Sequence, residues 1–485
     1  MPGNARRSKS YHCRFRPLVD TFTAVGILKF NMNRRSAKSI LAGLFFFILT
    51  SNPCRAELAV TESWPASQSA NVCADTPLRL TFNEPVVLGS SGNITVCRAT
   101  DNKPVDAFDL GAAGFTNNFG GKTLRYDPVQ ITGNAATIEL HSRSLNPGES
   151  YYVHIEPDVF KNTNGDGFAG FTNGSAWKFS TRDALPRGRT NLVVAADGTG
   201  DFCTPQGAVD YVPDDNHSPV EIFVRKGVYE GMIYVMPDKA HIHFTGEDRK
   251  NTVIAGLNND RLNAGRIGRP LVSVDANDFT LENMTLHNMT PYGGSQAEAL
   301  RVKSDRCILR NDDFYSFQDT LLLSGRVYLT NCYVEGDVDF IWGQGTVFFD
   351  QCEIKAVHNG YYLQTRNPAE SAGYVFFQCK LTATPNVTKC LLARIDADRF
   401  SYSAAAFINC QMGAQVPPVG WEAKGANVSH LRFWEYQSAD SQGKLVDVSR
   451  RLPASRQLTK AEAAELSDPA KVLSNHDTWN PRAAK

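Results

Sequence analysis

This chain has no excess of either charge. Its 485 residues carry 50 Lys and Arg against 50 Asp and Glu, a formal net charge of zero. A balanced chain has no basic field of the kind that binds nucleic acid, and it draws no polyanion from a distance. Metal-ligand spacing is missing as well. Among 11 Cys and 10 His there is no Cys-x-x-Cys and no His-x-x-x-His, so neither a metal nor another cofactor is expected. His287 and His358 each stand alone and read as structural or surface residues. No apolar run is long enough for a bilayer. ILAGLFFFILT at 40–50 has eleven residues, too few to span a hydrocarbon core of ~30 Å.

That run instead reads as a secretory signal. Asn33-Arg34-Arg35 and Lys38 precede it, and Cys54-Arg55-Ala56 follow it. A basic region, a short apolar core and a small residue at the end are the pattern of a cleaved leader. Met32 stands just before the basic residues and suggests the true start. The expectation is a soluble exported protein, extracellular or periplasmic, beginning near Glu57. Export permits disulfides. Cys73 and Cys97 are the only two cysteines in residues 57–183 and fall on predicted strands, so a bridge between them is expected.

What is present is a repeat. A four-residue phrase recurs as NMTL from Asn283, NDDF from Asn311, NCYV from Asn331, QCEI from Gln351, QCKL from Gln378 and NCQM from Asn409. Each follows a short alternating run such as VYLTN or VFFDQ, rich in Val, Phe and Tyr, which reads as a strand. Long helical periodicity is absent between them. Self-similarity at 20–31 residues points to stacked coils, a parallel β-helix whose strands pair coil to coil. The Asn/Gln column would stack its amides at a turn. Met284, Cys332, Cys352, Cys379 and Cys410 would point inward, free Cys being a small buried hydrophobe. Asp312 interrupts that column.

Residues 57–183 differ. Short strands such as LRLTFNEPVVL and SYYVHIEPDVF alternate with turns such as NPGES and NTNGDG, which suggests a small β-sandwich. Its LTFNEPV, LNPGESYYVHI and WKFST resemble bacterial Ig-like modules, read here as a spacer or surface-binding arm. Residues 184–190 form a linker, and 191–485 form the β-helix, opened by a Gly-rich turn and a short helix that cap the coils. LTKAEAAELSD near the end reads as a helix packed outside them.

Asp319 and Asp339 lie eight residues after Asn311 and Asn331. They therefore occupy equivalent positions on adjacent coils, ~4.8 Å apart. Two carboxyls so close cannot both ionise freely, so one pKa is expected to rise and the other to fall. Such a pair suits one nucleophile and one proton donor.

The surrounding motifs carry a family resemblance. VVAADGTGDFCT, VRKGVYEG, QAEALRV, FQDTL, GDVDFIWG and the Arg of LLARID resemble, in order and spacing, the pectin methylesterases. The resemblance implies a right-handed parallel β-helix of the pectin-lyase-like type, and methyl esters of homogalacturonan as substrate. It implies Asp339 as nucleophile, Asp319 as acid and then base, and Gln296 and Gln318 as oxyanion donors. Arg394 would hold the nucleophile ionised. The chemistry agrees with those roles. A carboxylate nucleophile forms an acyl-enzyme that water opens, and amide hydrogens stabilise an oxyanion without proton transfer. Phe317, Phe340, Trp342, Tyr361 and Tyr362 are expected to line a sugar groove. The partner is then a pectin polysaccharide, with no nucleic acid, and the chain is expected to be a monomer.

Two departures stand out. Where the family has Arg-Pro-Trp, this chain has Arg394-Ile395-Asp396, and Leu322 replaces a Tyr. Trp421 was a candidate to compensate for the missing cleft Trp. Two other functions remain open from residues alone. One is a retaining glycoside hydrolase, which needs carboxylates ~5 Å apart but gives Gln296, Gln318 and Arg394 no comparable task. The other is a non-catalytic polysaccharide-binding or adhesion protein.

Overall fold

The computed structural model describes residues 57–475 and 477–483. The leader, with Met32 and the run at 40–50, lies outside the described residues. Among the described residues no helix is long and apolar enough to cross a membrane.

The first module packs an antiparallel sheet against a mixed one, in which Ser69–Val72 runs parallel to Lys178–Thr181. Val60–Trp64, Leu78–Phe82, Ala135–Ile138 and Val129–Thr132 make one, in that order. The other has five strands, ordered Ser69–Val72, Lys178–Thr181, Ser150–Ile155, Asn93–Arg98 and Pro104–Asp109. Period-two alternation sends Leu78, Leu80, Phe82, Tyr151, Val153 and Ile155 into the core. The expected Cys73–Cys97 bridge is not formed, and both are free buried thiols. Two strands separate the strand before Cys73 from the strand carrying Cys97. Three strand spacings amount to ~14 Å, well beyond the ~7 Å Cα reach of a disulfide.

From Asn191 onward the chain winds into a parallel β-helix. One ladder of eleven strands runs from Asn191–Val194 to Ser455–Gln457. Two further ladders join through the long strands Tyr333–Gly343 and Glu353–Thr365. Register places Leu281, Leu309, Leu329, Phe349, Phe376 and Phe407 in one interior column. Its rings stack at 4.3 Å for Phe349–Phe376 and 4.7 Å for Phe376–Phe407.

The repeated phrase is a corner. Asn283, Asn311, Asn331, Gln351, Gln378 and Asn409 all have φ between 53° and 59°, in the left-handed region. That region costs a residue with a Cβ ~1–2 kcal/mol, and a short amide side chain offsets part of it locally. Here the offset is a ladder. Asn331 donates to Asn311 Oδ1 at 2.9 Å, and Asn311 donates to Asn283. Gln437, with φ 49°, adds a corner that the phrase QSAD did not reveal. Met284, Cys332, Cys352, Cys379 and Cys410 are buried at 0–2% exposure, as the repeat required. Asp312, also buried, accepts the Met284 N–H at 2.9 Å, and burial pushes its carboxyl well above the usual range.

The two modules lock together. Asp75 of the first accepts the N–H groups of Cys203 and Thr204 at 3.0 and 2.7 Å and the Thr204 hydroxyl at 2.8 Å. Thr204 in turn caps the helix Pro205–Tyr211 that closes the first coil. A cavity of about 730 Å³ lies along this junction, away from the paired acids.

The ladder gives a stability prediction. Asn331→Ala removes an amide rung and leaves a Cβ in the left-handed region, a loss of ~1–3 kcal/mol. Asn331→Gly loses the rung alone and should be milder. Urea unfolding of the three proteins tests this, and midpoints that coincide would rule the ladder out as a source of stability.

Candidate active site

The corner opposite the Asn/Gln ladder carries the two acids. Asp319 and Asp339 have φ of 68° and 51°. Leu321 pairs with Ile341, so the residues two before them lie on adjacent coils at matched positions. The Asp319 N–H donates to Val338 O at 3.3 Å. Both acids thus sit at left-handed corners, where local strain is held by the surrounding ladder.

Asp339 is gripped from two sides. Arg394 Nε donates to Oδ1 at 2.8 Å and to Oδ2 at 3.1 Å, and its Nη2 donates to Oδ2 at 2.5 Å. Gln364 Nε2 donates to Oδ2 at 2.7 Å. Arg366 Nε donates to Gln364 Oε1 at 2.8 Å and so turns the amide the right way round. Register explains the meeting. Leu322, Trp342 and Gln364 form one row across the coils, and Arg394 on Cys390–Asp396 follows in the next. The Arg394 guanidinium lies 4.4 Å over the Tyr361 ring, whose hydroxyl reaches Glu422 at 3.2 Å.

Asp319 has a different neighbourhood. Arg269 Nη2 donates to its Oδ2 at 2.8 Å. The same guanidinium holds both oxygens of fully buried Glu298 at 2.8–3.0 Å, and Asp260 at 3.2 Å.

Burial raises both acids, so the expectation of one pKa up and one down is corrected. Asp319 is pushed well above the carboxylate range, by burial first and then by Glu298, with Asp339 adding to it and Arg269 opposing. Asp339 is also raised by burial, but the Arg394 fork pulls it back. The order of proton loss is kept, because only Asp339 has a fork that no buried acid shares.

Gln296 and Gln318 lie one coil apart, since the Ala297 N–H donates to Gln318 O at 3.1 Å. The Ser295 hydroxyl donates to Gln296 Oε1 at 3.1 Å. Among the described residues the amide hydrogens of both Gln side chains have no protein acceptor.

Of the five expected groove aromatics, two are core. Phe340 and Tyr362 are 0% and 1% exposed and pack on each other at 5.4 Å. The left-handed turn at Asp339 aims the next side chain inward, which period-two counting did not anticipate. Trp421 is likewise buried, with its indole N–H on Glu435 at 3.0 Å, so it does not replace the family's cleft Trp. Trp342 points away from the coil interior but is only 3% exposed, roofed by the guanidinium groups of Arg266, Arg269 and Arg366 at 4.7–5.5 Å, so it offers no open face to a sugar. It borders a cavity of about 430 Å³ that Arg366 also lines. Phe317 belongs to a cluster with Tyr292 and His358 at 5.7 and 5.6 Å, and the latter two stack at 3.9 Å. Tyr292 is 62% exposed and offers the free ring face.

Sequence reading missed Arg269, Glu298, Gln364, Arg366 and Tyr292, and set His358 aside as solitary. Glu298 had a signal, an acid set among Ala residues in a buried run. Arg269 and Tyr292 had none, because they sit in connections outside the repeat. Ile395 is buried at 3% exposure, whereas Asp396 is exposed on the face that carries Arg394.

A β-helix that places two carboxyls, a guanidinium fork and amide donors on one outer face is the scaffold of a carbohydrate esterase. The Pectinesterase family matches residues 191–472, and the Bacterial Ig-like domain matches residues 55–181. Pectinesterase 31 of Arabidopsis thaliana is 34% identical over 285 residues, covering 56% of this chain and 88% of that protein. Pectinesterase 2 of Olea europaea is 27% identical over 358 residues, covering 70% of this chain and 90% of that protein. Pectin methylesterase from carrot superposes with a TM-score of 0.55 at 25% identity, covering 60% of this chain and 95% of its own. PemA from Erwinia chrysanthemi shares the fold at a TM-score of 0.50 and 22% identity, over 61% of this chain and all of its own. The chain belongs to the pectinesterase family and is a carboxylic ester hydrolase with an N-terminal Ig-like module.

The two aromatic sets should separate by experiment. Phe340→Ala empties a core site and should cost ~3–5 kcal/mol in urea unfolding. Tyr292→Ala should leave the midpoint unchanged within ~0.5 kcal/mol. Equal losses would mean that Tyr292 is packed rather than presented.

Proposed function

We propose that this protein hydrolyses methyl esters of homogalacturonan through an acyl-enzyme on Asp339. One observation carries the reading: Asp339 is held by a bidentate Arg394 fork, next to a second carboxyl, Asp319, that burial pushes well above the usual carboxylate range. The ionised Asp339 attacks the ester carbonyl carbon. The oxygen that gains charge takes hydrogen bonds from the uncommitted Gln296 and Gln318 amides. Collapse breaks the bond to methoxide, which leaves as methanol with the proton of Asp319. The anhydride is then opened by water, whose proton goes to the Asp319 carboxylate. Collapse of this second intermediate frees the uronate and returns both acids to their starting states. A glycoside hydrolase would use the same two acids but give the Arg394 fork and the Gln pair no work. The basic and apolar segment before Glu57 supports action outside the cytoplasm, where pectin is met.

Asp339→Asn and Asp319→Asn keep the left-handed backbone and nearly the same shape. Each should lower methanol release from esterified pectin by ~10³-fold or more, with unfolding midpoints close to wild type. An Asp339→Asn protein that retains a tenth of wild-type turnover is not working through this nucleophile. A gain of reducing ends in place of methanol would favour the glycosidase.

Asp396 faces the same side as Arg394 and is exposed. Repulsion between exposed like charges is ~1 kcal/mol at 4 Å in water and is screened by salt. Asp396→Trp should therefore lower KM for pectin several-fold with little change in kcat, most of all on sparsely methylated substrate at low salt. An unchanged KM across methylation levels would place this residue outside the sugar groove.

A further inference from the structure

A proton donor held by an arginine is a contradiction unless something offsets the charge. A guanidinium at 2.8 Å favours the carboxylate over the acid. Four charged groups face Asp319. They are Arg269 before Val272–Val274, Glu298 before Leu300–Val302, Asp339 on Tyr333–Gly343 and Arg366 after Glu353–Thr365. Three hydrogen bonds join the 9% and 0% exposed side chains of Arg269 and Glu298, and Asp260 adds a fourth contact to the guanidinium at 3.2 Å. Glu298 cancels the charge of Arg269 and leaves its geometry. Arg269 then supplies a directed hydrogen bond to Asp319 Oδ2, which makes that oxygen the acceptor and leaves Oδ1 to carry the proton.

The segment bearing Arg269 is hung from the first module. Asn258, fully buried, donates through Nδ2 to Gly268 O and Pro270 O, both at 2.8 Å, the carbonyls on either side of Arg269. Its Oδ1 accepts from Asn263 Nδ2 at 3.0 Å. Asn263 reaches across to the Ig-like strand Lys122–Tyr126, accepting the Arg125 N–H at 2.8 Å and donating to the Arg125 carbonyl at 2.8 Å. An unbroken series of hydrogen bonds thus joins the Ig-like backbone to Asp319.

We propose that Arg269, electrically offset by Glu298 and anchored to the Ig-like module through Asn263, is the positioning residue that presents the proton of Asp319 on Oδ1. This makes the Ig-like module a working part of the esterase rather than a spacer. It rests on the reading of Asp319 as the general acid.

The pH dependence of kcat/KM on soluble esterified pectin tests it in the full chain. The acid limb reports ionisation of Asp339, and the basic limb reports loss of the proton from Asp319. Glu298→Gln keeps the shape but leaves Arg269 offset only by the more exposed Asp260. The Asp319 carboxylate is then favoured, and the basic limb should move to lower pH by about one unit or more. The Arg269→Gln, Glu298→Gln double variant is neutral again, so its basic limb should return toward wild type. Asn263→Ala should lower kcat about three- to tenfold with KM unchanged. Added to the double variant, it should cost nothing more, because the link it serves is already cut.

A basic limb that stays in place in folded Glu298→Gln overturns the proposal, as does an equal shift in the single and double variants. Should Glu298→Gln fail to fold, the Asn263 arm decides, and losses that simply add overturn it. Wild-type protein that releases no methanol from pectin would overturn the functional reading and this proposal together. Normal methanol release with an unmoved limb would overturn the proposal alone.

Discussion

Coil-to-coil register is the constraint on which everything else depends. A parallel ladder fixes neighbouring strands ~4.8 Å apart and admits no slip without moving side chains to the wrong face. Two carboxyls at the same step of consecutive coils are therefore forced together, whatever they cost each other. The left-handed corners at Asp319 and Asp339 add direction, throwing both side chains outward while Phe340 turns in. The same register brings Gln364 and Arg394 alongside Asp339 from later coils. A site assembled from single residues on successive turns needs no mobile loop to bring its acids together.

That constraint also decides what can be read from sequence. The repeat, the interior thiol column and the outward acids share one period, so counting residues put Asp319 and Asp339 on adjacent coils and Cys332, Cys352, Cys379 and Cys410 in the interior. Counting fails where the backbone leaves the strand. Phe340 follows the left-handed corner at Asp339, and its inward course is set by φ there rather than by composition. It also fails for connections. Arg269 and Tyr292 lie in loops whose path depends on packing between modules, and no local pattern records that. The Cys73–Cys97 expectation failed for a related reason: two thiols on predicted strands of one module can be three strand spacings apart once sheet order is known.

Electrostatics explains why so many charges are buried around one ester site. Each buried ion gives up its hydration, and an ion pair in low dielectric seldom gains net stability from being there. The arrangement makes sense as a means of separating two like acids. Arg394 and Gln364 give Asp339 three donors and no competing carboxylate, while Arg269 divides its donors between Asp319 and Glu298. Identical side chains are thereby given different donors, the asymmetry that the proposed nucleophile and acid would need.

The replacement of Arg-Pro-Trp by Arg394-Ile395-Asp396 fits the same logic. Ile395 serves the core, so strand alternation needs only an apolar residue there. Arg394 is fixed by its fork on Asp339. The third position faces outward, where, among the described residues, the Asp396 carboxylate accepts only the Arg399 N–H at 3.3 Å, so a change there bears on the exposed face rather than on the core. A Trp there would offer a stacking face, whereas Asp396 offers a charge that discourages uronate carboxylates. Tyr361, beside the arginine strand, is half-buried with Arg394 over its ring, while Tyr292, Phe317 and His358 gather elsewhere. If the proposed substrate is right, substrate preference should follow the exposed aromatic cluster around Tyr292 rather than the altered motif.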